Sequence, residues 1–103
     1  MRKVRLTPAA SSDIDEIALF TEENWGVPQR RRYLAALDGA FTKLASNPGI
    51  SAPRDDLGPG VRSFRVGAHV VFSVSDAEAL IILRVLHARR DMQAAFRPAG
   101  RDG

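Results

Sequence analysis

The chain has 103 residues, with 15 lysines and arginines against 12 aspartates and glutamates, and it contains no cysteine. The length fits one domain with a single core, and the lack of cysteine excludes disulfides and thiolate metal sites. The net charge of +3 favours an anionic partner, while no apolar run approaches the roughly 20 residues that span a membrane, so we expect no membrane partner.

The first half of the chain predicts a short strand followed by two helices. Residues 4–6 form the strand, and Thr7 and Pro8 supply the N-cap and the first position of the first helix. Gly26 ends that helix, and Pro28 begins the second, so the two form an antiparallel hairpin. Each helix carries one apolar stripe at helical spacing: Ala10, Ile14, Ile17, Ala18, Thr21 and Trp25 on the first, and Tyr33, Leu34, Leu37, Phe41, Leu44 and Ala45 on the second.

The second half predicts a loop and three strands. Residues 50–60 are rich in proline and glycine, which is typical of a loop. Alternating strands follow at residues 62–66 and 69–75 around the tight turn Gly67-Ala68, and a longer strand covers residues 80–87. The predicted fold class is α+β, with an N-terminal strand, an antiparallel helical hairpin packed on one face of an antiparallel β-sheet, and a short C-terminal helix or tail. We expect one domain over residues 1–97 and a disordered tail over residues 98–103.

The last predicted strand is apolar on both faces. One face carries Leu80, Ile82, Arg84 and Leu86, and the other carries Ile81, Leu83, Val85 and His87. The helical hairpin covers only one face of a sheet, so the other needs residues 92–96 or a partner to cover it. We therefore expect the face with Leu80 to be a partner-binding groove.

A basic cluster near the end of the chain is the strongest candidate for chemistry. It consists of Arg62, Arg65, Arg84, His87, Arg89 and Arg90. Arginines clamp phosphates and a histidine transfers protons near neutral pH, so His87 with Arg84, Arg65 and Arg62 would suit a metal-free RNA nuclease. Two alternatives are that the cluster binds protein, or that Arg84 pairs with a helical carboxylate while His87 caps the strand end. His69 is interpreted as a turn or surface residue, and we expect neither a metal nor a cofactor.

Motifs along nearly the whole chain resemble the ParE toxins of the ParE/RelE toxin–antitoxin superfamily. The motifs are Leu6-Thr7-Pro8-Ala9-Ala10, Asp13-Ile14-Asp15-Glu16-Ile17, Trp25-Gly26, Gln29, Tyr33, Leu37, Phe41, Leu44-Ala45, Pro48, and the two strand segments at residues 64–72 and 81–91. The resemblance implies a helical hairpin on an antiparallel sheet, a bacterial cytoplasmic location, and a ParD-type antitoxin that wraps and blocks the toxin. It also implies inhibition of DNA gyrase, with no cofactor and no sequence-specific DNA binding by this chain.

Two other functions stay open within this resemblance. RelE-type toxins cut mRNA on the ribosome with basic residues, but the two lysines of this chain, Lys3 and Lys43, lie outside the loop and the sheet. A relic that binds antitoxin without toxicity is the third candidate. For antitoxin contact we single out Leu80, Ile82, Arg84 and Leu86, and for target contact His87, Arg89 and Arg90.

Overall fold

A computed structural model of the chain describes residues 1–90 and 92–96. The elements are β1 (Lys3–Leu6), α1 (Pro8–Trp25), α2 (Val27–Ser46), a 3₁₀ turn (Pro48–Ile50), β2 (Ala52–Pro53), β3 (Arg62–Val66), β4 (His69–Ser75), β5 (Ala79–His87) and α3 (Met92–Ala95). The predicted tail at residues 98–103 lies outside the described residues. Among the described helices, none is both long and apolar enough to cross a membrane.

The helical hairpin begins and turns at the residues that the sequence predicts. The Thr7 hydroxyl accepts a hydrogen bond from the Ala10 N–H at 3.0 Å and donates one to the Leu83 carbonyl at 2.8 Å. Thr7 thus caps α1 and also ties its start to β5. Gly26 separates the two helices with a φ of 87°, in the region where glycine is favoured. The predicted helices and their antiparallel hairpin are confirmed.

The sheet is mixed rather than wholly antiparallel. Its strand order is β1-β5-β4-β3-β2, and β1 pairs with β5 in parallel, Lys3 lying opposite Ala79. A parallel pair requires a long crossover, and here the helical hairpin and the following strands supply it. The predicted loop at residues 50–60 also contains the short strand β2, in which Ala52 pairs with Ser63 of β3.

A bulge in β5 overturns the predicted alternation of faces. Phe72 pairs with Arg84 while Ser73 pairs with Ile82, so Leu83 has no partner in the register. Because a bulge inserts one residue, the side-chain alternation shifts at that point. Leu80 and Ile82 consequently pack in the same cluster as Val85, whereas Leu86 packs in the other.

Both faces of the sheet are covered by the chain itself. Against the helical hairpin lies the main core, whose largest buried members include Leu37, Leu44, Val71, Leu80 and Ile82. On the opposite face a smaller cluster of Val61, Phe72 and Leu86 packs against Leu57 from the loop and Met92, Ala95 and Phe96 from the C-terminal segment. The expectation that Leu80, Ile82 and Leu86 form an uncovered groove is therefore wrong, since their exposed fractions are 1%, 0% and 2%.

Candidate functional site

A groove of about 600 Å³ opens between the helical hairpin and the ends of β4 and β5. We call it the hairpin groove. Its wall on the helical side is formed by Asp13, Glu16, Ile17, Phe20, Thr21, Trp25, Gln29 and Tyr33. Its wall on the sheet side is formed by Ala68, His69, Val85, Leu86, His87 and Arg90. The volume lies in the range of sites that hold a ligand or a large side chain of a partner.

Aromatic side chains form the open rim of the hairpin groove. Phe20 is 58% exposed and Trp25 is 65% exposed, and their rings meet edge to face with centroids 5.9 Å apart. The sequence predicts that Trp25 belongs to the core but is partly exposed at the end of α1, and the structure shows that it is mostly exposed. Trp25 is the last residue of α1, beyond the part of the helix that packs on the sheet. Only Ala10, Asp13, Ile17 and Thr21 are buried on that helix.

Two histidines and a tyrosine form a cluster at the sheet end of the groove. His69 and His87 are paired across β4 and β5, with ring centroids 5.5 Å apart. The Tyr33 hydroxyl donates to the Val66 carbonyl at 3.0 Å and lies 2.5 Å from the Nδ1 atom of His69. Because a phenol has a single proton, we assign the proton in the second contact to His69 Nδ1. The cluster thus leaves the Nε2 atom of neutral His69 without a proton.

His69 is half-buried, not a surface residue as the sequence suggested. Burial, followed by the charges of His87 and Arg65, lowers the pKa of His69 from its ordinary value of 6.5. The same environment raises the pKa of Tyr33, chiefly through burial. Both shifts favour the neutral forms, so the contact between the two rings is a neutral hydrogen bond at pH 7.

Acidification is expected to destabilise the fold through His69. Between the lowered pKa and 6.5, the unfolded histidine binds a proton that the folded one does not, so the free energy of unfolding decreases as the pH falls through that window. Urea denaturation at pH 7.5 and pH 5.5 should show this loss, and His69→Gln should reduce it. The pKa values of Asp56 and Asp76 are lowered from 3.8, so these groups titrate below the window. Equal losses in the wild type and His69→Gln would contradict the assignment.

The predicted target residues lie at and beyond the end of β5. His87 is exposed, and its Nδ1 atom accepts a hydrogen bond from the Arg89 N–H at 3.1 Å. This contact confirms the alternative in which His87 caps the strand end. Arg89 and Arg90 are exposed, and Arg90 joins His87 in lining the hairpin groove. The side chains that the sequence assigned to target contact are therefore accessible.

The three arginines of the predicted nuclease site do not converge. Arg62 donates to the Ser51 hydroxyl at 2.9 Å and also to the Ser51 carbonyl. Arg65 donates to the carbonyl of Gly67 in its own turn at 2.6 Å. Neither of these arginines lines the hairpin groove that His87 faces. The guanidinium groups of Arg62 and Arg65 are thus each engaged in a separate hydrogen-bonded contact.

Arg84 forms an ion pair with a carboxylate of the first helix. Its Nε and Nη2 atoms donate to the two oxygens of Asp13 at 2.8 and 2.9 Å. Asp13 is 7% exposed and also accepts the backbone N–H of Val85 at 2.9 Å. This confirms the alternative in which Arg84 pairs with a helical carboxylate. The hydrogen bond and the charge of Asp13 raise the pKa of Arg84, which stays a cation.

Comparison with known proteins identifies the family. The family model described as the ParE toxin of type II toxin–antitoxin systems matches residues 4–92. The chain belongs to the ParE toxin family. It is 39% identical over 88 residues to Toxin ParE1 of Mycobacterium tuberculosis, and the match covers 84% of this chain and 90% of that protein.

Two solved structures share the fold of this ParE-family chain. A chromosomal ParDE toxin–antitoxin system from P. aeruginosa has a TM-score of 0.71 at 19% identity, over 84% of this chain and 96% of that one. A RelBE2 toxin–antitoxin complex from M. tuberculosis has a TM-score of 0.60 at 27% identity, with the same coverage of both chains. Both the ParE family and its expected α+β architecture are confirmed.

The residues assigned to antitoxin contact need revision in this ParE fold. Leu80, Ile82 and Leu86 lie inside the chain's own clusters, and Arg84 is bonded to Asp13. The free chain therefore does not present them as one surface.

Within the described part of the chain, no group of three or more histidine, aspartate or glutamate side chains could hold a metal ion.

Sequence reasoning missed several residues that shape the site. The sequence does not single out Asp13 as the carboxylate that pairs with Arg84, and it does not predict a hydrogen-bond partner for Tyr33. A carboxylate on the buried side of an amphipathic helix was the available signal for Asp13, because it needs a partner when buried. For Tyr33 the hydroxyl was the signal, since a buried phenol usually finds a hydrogen-bond partner. Neither signal identifies the partner.

Proposed function

We propose that this ParE-family chain is a toxin that inhibits DNA gyrase by protein binding, and that a ParD-type antitoxin neutralises it. Gyrase acts on DNA in the bacterial cytoplasm, so we place the chain there. His87, Arg89 and Arg90 are the proposed target contacts, because they are exposed together at one end of the sheet. Membership in the ParE family supports the proposal, and the two structures of similar fold come from toxin–antitoxin systems.

The separation of the sheet arginines favours gyrase inhibition over nuclease activity. A phosphate clamp needs guanidinium groups that point at a common position. Here Arg62, Arg65 and Arg84 donate instead to Ser51, Gly67 and Asp13. Without a clamp beside His87, a proton-transferring histidine has no anchored phosphate to act on. An exposed basic end of the sheet beside an apolar groove suits contact with a protein.

The second candidate is ribosome-dependent mRNA cleavage of the RelE type. One observation favours it, since the RelBE2 complex resembles the chain with a TM-score of 0.60. His87 with Arg84, Arg65 and Arg62 would then be the catalytic residues, and the three arginines would need to leave their present partners. Their present hydrogen bonds make this arrangement costly, so we rank it below gyrase inhibition.

Parallel assays on the purified chain separate these functions. We expect inhibition of gyrase supercoiling, reversed by a ParD-type antitoxin, and intact mRNA on programmed ribosomes. His87→Ala should leave the mRNA result unchanged, with exposed Arg31→Ala as a control away from the groove. Cleavage of mRNA by the wild-type chain without inhibition of gyrase would establish the nuclease instead. In that case His87→Ala should slow the cleavage about 10²- to 10⁴-fold. Antitoxin binding without either activity would indicate the non-toxic relic.

A further inference from the structure

The only two histidines of the chain lie directly opposite each other on neighbouring strands. His69 begins β4 and His87 ends β5, and the two residues are partners in the antiparallel register. Side chains at directly opposite positions project from the same face of a sheet, with Cβ atoms about 4.5–5.5 Å apart. The imidazole rings therefore meet, with centroids 5.5 Å apart and planes inclined at 79°.

The distance between the two rings suits two imidazoles that share one metal ion. A Zn–N bond is about 2.0–2.1 Å long, and a zinc ion in a protein holds its ligands in a tetrahedron. With each ring nitrogen about 1.1 Å from its ring centroid, the centroids of two imidazoles on such an ion lie about 5 Å apart. The observed 5.5 Å is close to this value, so rotation of the side chains can form the pair without a change of strand register.

Tyr33 holds His69 in the tautomer that binds a metal through Nε2. The Tyr33 hydroxyl oxygen lies 2.5 Å from Nδ1 of His69, and the proton of this contact belongs to Nδ1. Histidines that bind metals in proteins generally donate their second ring N–H to an oxygen in this way. Burial lowers the pKa of His69, so the ring is neutral at pH 7 and Nε2 presents its lone pair.

His87 is available as the second ligand. Its Nδ1 atom accepts the Arg89 N–H at 3.1 Å, so neutral His87 carries its proton on Nε2. Metal binding through Nε2 moves that proton to Nδ1, and His87 releases no net proton. The Arg89 N–H then bonds to water, which is at hand because both residues are exposed. Within residues 1–90 and 92–96, neither Nε2 atom has a hydrogen-bond partner that a metal would displace.

The donor atoms and the surrounding charges select the class of ion. Imidazole nitrogen suits zinc, copper and nickel, whereas magnesium and calcium prefer oxygen ligands. Among the charged side chains that line the hairpin groove, Asp13 is paired with Arg84, and Glu16 balances the charge of Arg90. The walls of the groove thus carry no net charge that excludes a cation. Since two protein ligands are fewer than the three or four of a zinc enzyme or a zinc finger, water fills the remaining positions.

We propose that His69 and His87 form a two-histidine site for a divalent transition-metal ion such as zinc, and that Tyr33 positions His69 in it. The site goes beyond the proposed toxin function and does not depend on it. The sequence predicts no metal, because only the register of β4 and β5 brings the two histidines together. A bound ion links the ends of these strands and occupies His87, which is also a proposed target contact.

Calorimetric titration of the purified, untagged chain with zinc chloride at pH 7 tests the site. We expect one ion per chain and no binding of magnesium. His69→Gln and His87→Gln should each weaken zinc binding about 10-fold or more, since even loss of an outer partner of a ligand costs about 10- to 100-fold. Glu23→Gln, an exposed carboxylate on α1 outside the groove, is the control that should leave the affinity unchanged. Cooperative thermal unfolding without zinc should show that each variant folds.

Nitrogen NMR of the histidine rings tests the role of Tyr33 and does not depend on any variant of a ligand. In the wild-type chain, zinc should shift the Nε2 resonances of His69 and His87 and leave a proton on Nδ1 of each. Tyr33→Phe should weaken zinc binding about 10-fold and let metal-free His69 exchange between its two tautomers. Loss of stability in Tyr33→Phe with an unchanged tautomer and affinity would overturn its positioning role.

Three results would overturn the metal site. The first is a wild-type chain that binds no zinc even when the ion is in large excess. The second is binding that is equally tight in His69→Gln, His87→Gln and wild type, which would place the ion on other side chains. The third is half an ion per chain with formation of a dimer, which would place the ion between two copies. None of these results bears on gyrase inhibition or antitoxin binding, so the proposed function is tested separately.

Discussion

Replacing Asp13 by alanine is expected to lower the free energy of unfolding by about 3 kcal/mol. The substitution leaves the Arg84 guanidinium without its counter-charge and removes the acceptor of the Val85 N–H. Breaking a buried pair costs about 3–5 kcal/mol, and we expect the low end because the Arg84 side chain keeps 21% exposure to water. For a domain of this size the melting temperature should fall by roughly 12–24 °C, which calorimetry measures directly.

Two further variants identify the cause of this loss. Asp15→Ala on the same helix removes an exposed carboxylate and should change stability by less than about 0.5 kcal/mol. Asp13→Ala combined with Arg84→Met should be more stable than Asp13→Ala alone, because no unpaired cation remains. If the double variant were as unstable as the sum of the two single changes, the ion pair would not be the source of the effect.

Replacing Gly67 by alanine is expected to lower the free energy of unfolding by about 2–5 kcal/mol. Gly67 has a φ of 54° in the turn between β3 and β4, where an L-residue is strained. An added Cβ would also lie 2.8 Å from Cε1 and 2.9 Å from the hydroxyl oxygen of Tyr33. Tyr33 cannot move away freely, since its hydroxyl bonds to Val66 and His69. Equilibrium urea denaturation measures the loss.

A glycine on the second helix provides the matched control. Gly39 is exposed in α2, and a Cβ added there would meet nothing within 4 Å. Gly39→Ala should therefore stabilise the chain by about 0.5–1 kcal/mol. In a Tyr33→Ala background, Gly67→Ala should cost only the strain of the turn, about 1–2 kcal/mol. A cost that does not depend on Tyr33 would show that the turn alone is responsible.

The elements of local origin could be predicted from the sequence. Thr7 and Pro8 marked the start of α1, and Gly67-Ala68 marked the tight turn. These features depend on a few neighbouring residues and their backbone preferences, and both can be inferred from the sequence alone. Helical periodicity likewise identified Leu37 and Leu44 as core residues, and both are buried. The order of these elements carried the resemblance to ParE toxins.

The faces of β5 could not be predicted from alternation alone. A period of two assumes a regular ladder, and the unpaired Leu83 breaks it. The bulge puts Val85 on the face of Leu80 and Ile82 and puts Leu86 on the opposite face, so the predicted groove residues do not share one face. Nothing in the residue pattern of that strand marks the extra residue, because both faces carry large apolar side chains.

By itself, the sequence determined the helical hairpin, the turn at Gly67, the α+β class and the ParE family, because each depends on spacing between near neighbours. Tertiary structure decided which polar side chains are already held in hydrogen bonds within the chain. Asp13 and Arg84 are 71 residues apart in sequence, and Tyr33 and His69 are 36 apart. Such contacts depend on strand register and helix packing, which join distant segments. For that reason only the fold could decide between the alternatives for Arg84, by pairing it with Asp13, and only the fold showed that the open groove lies beside Phe20 and Trp25.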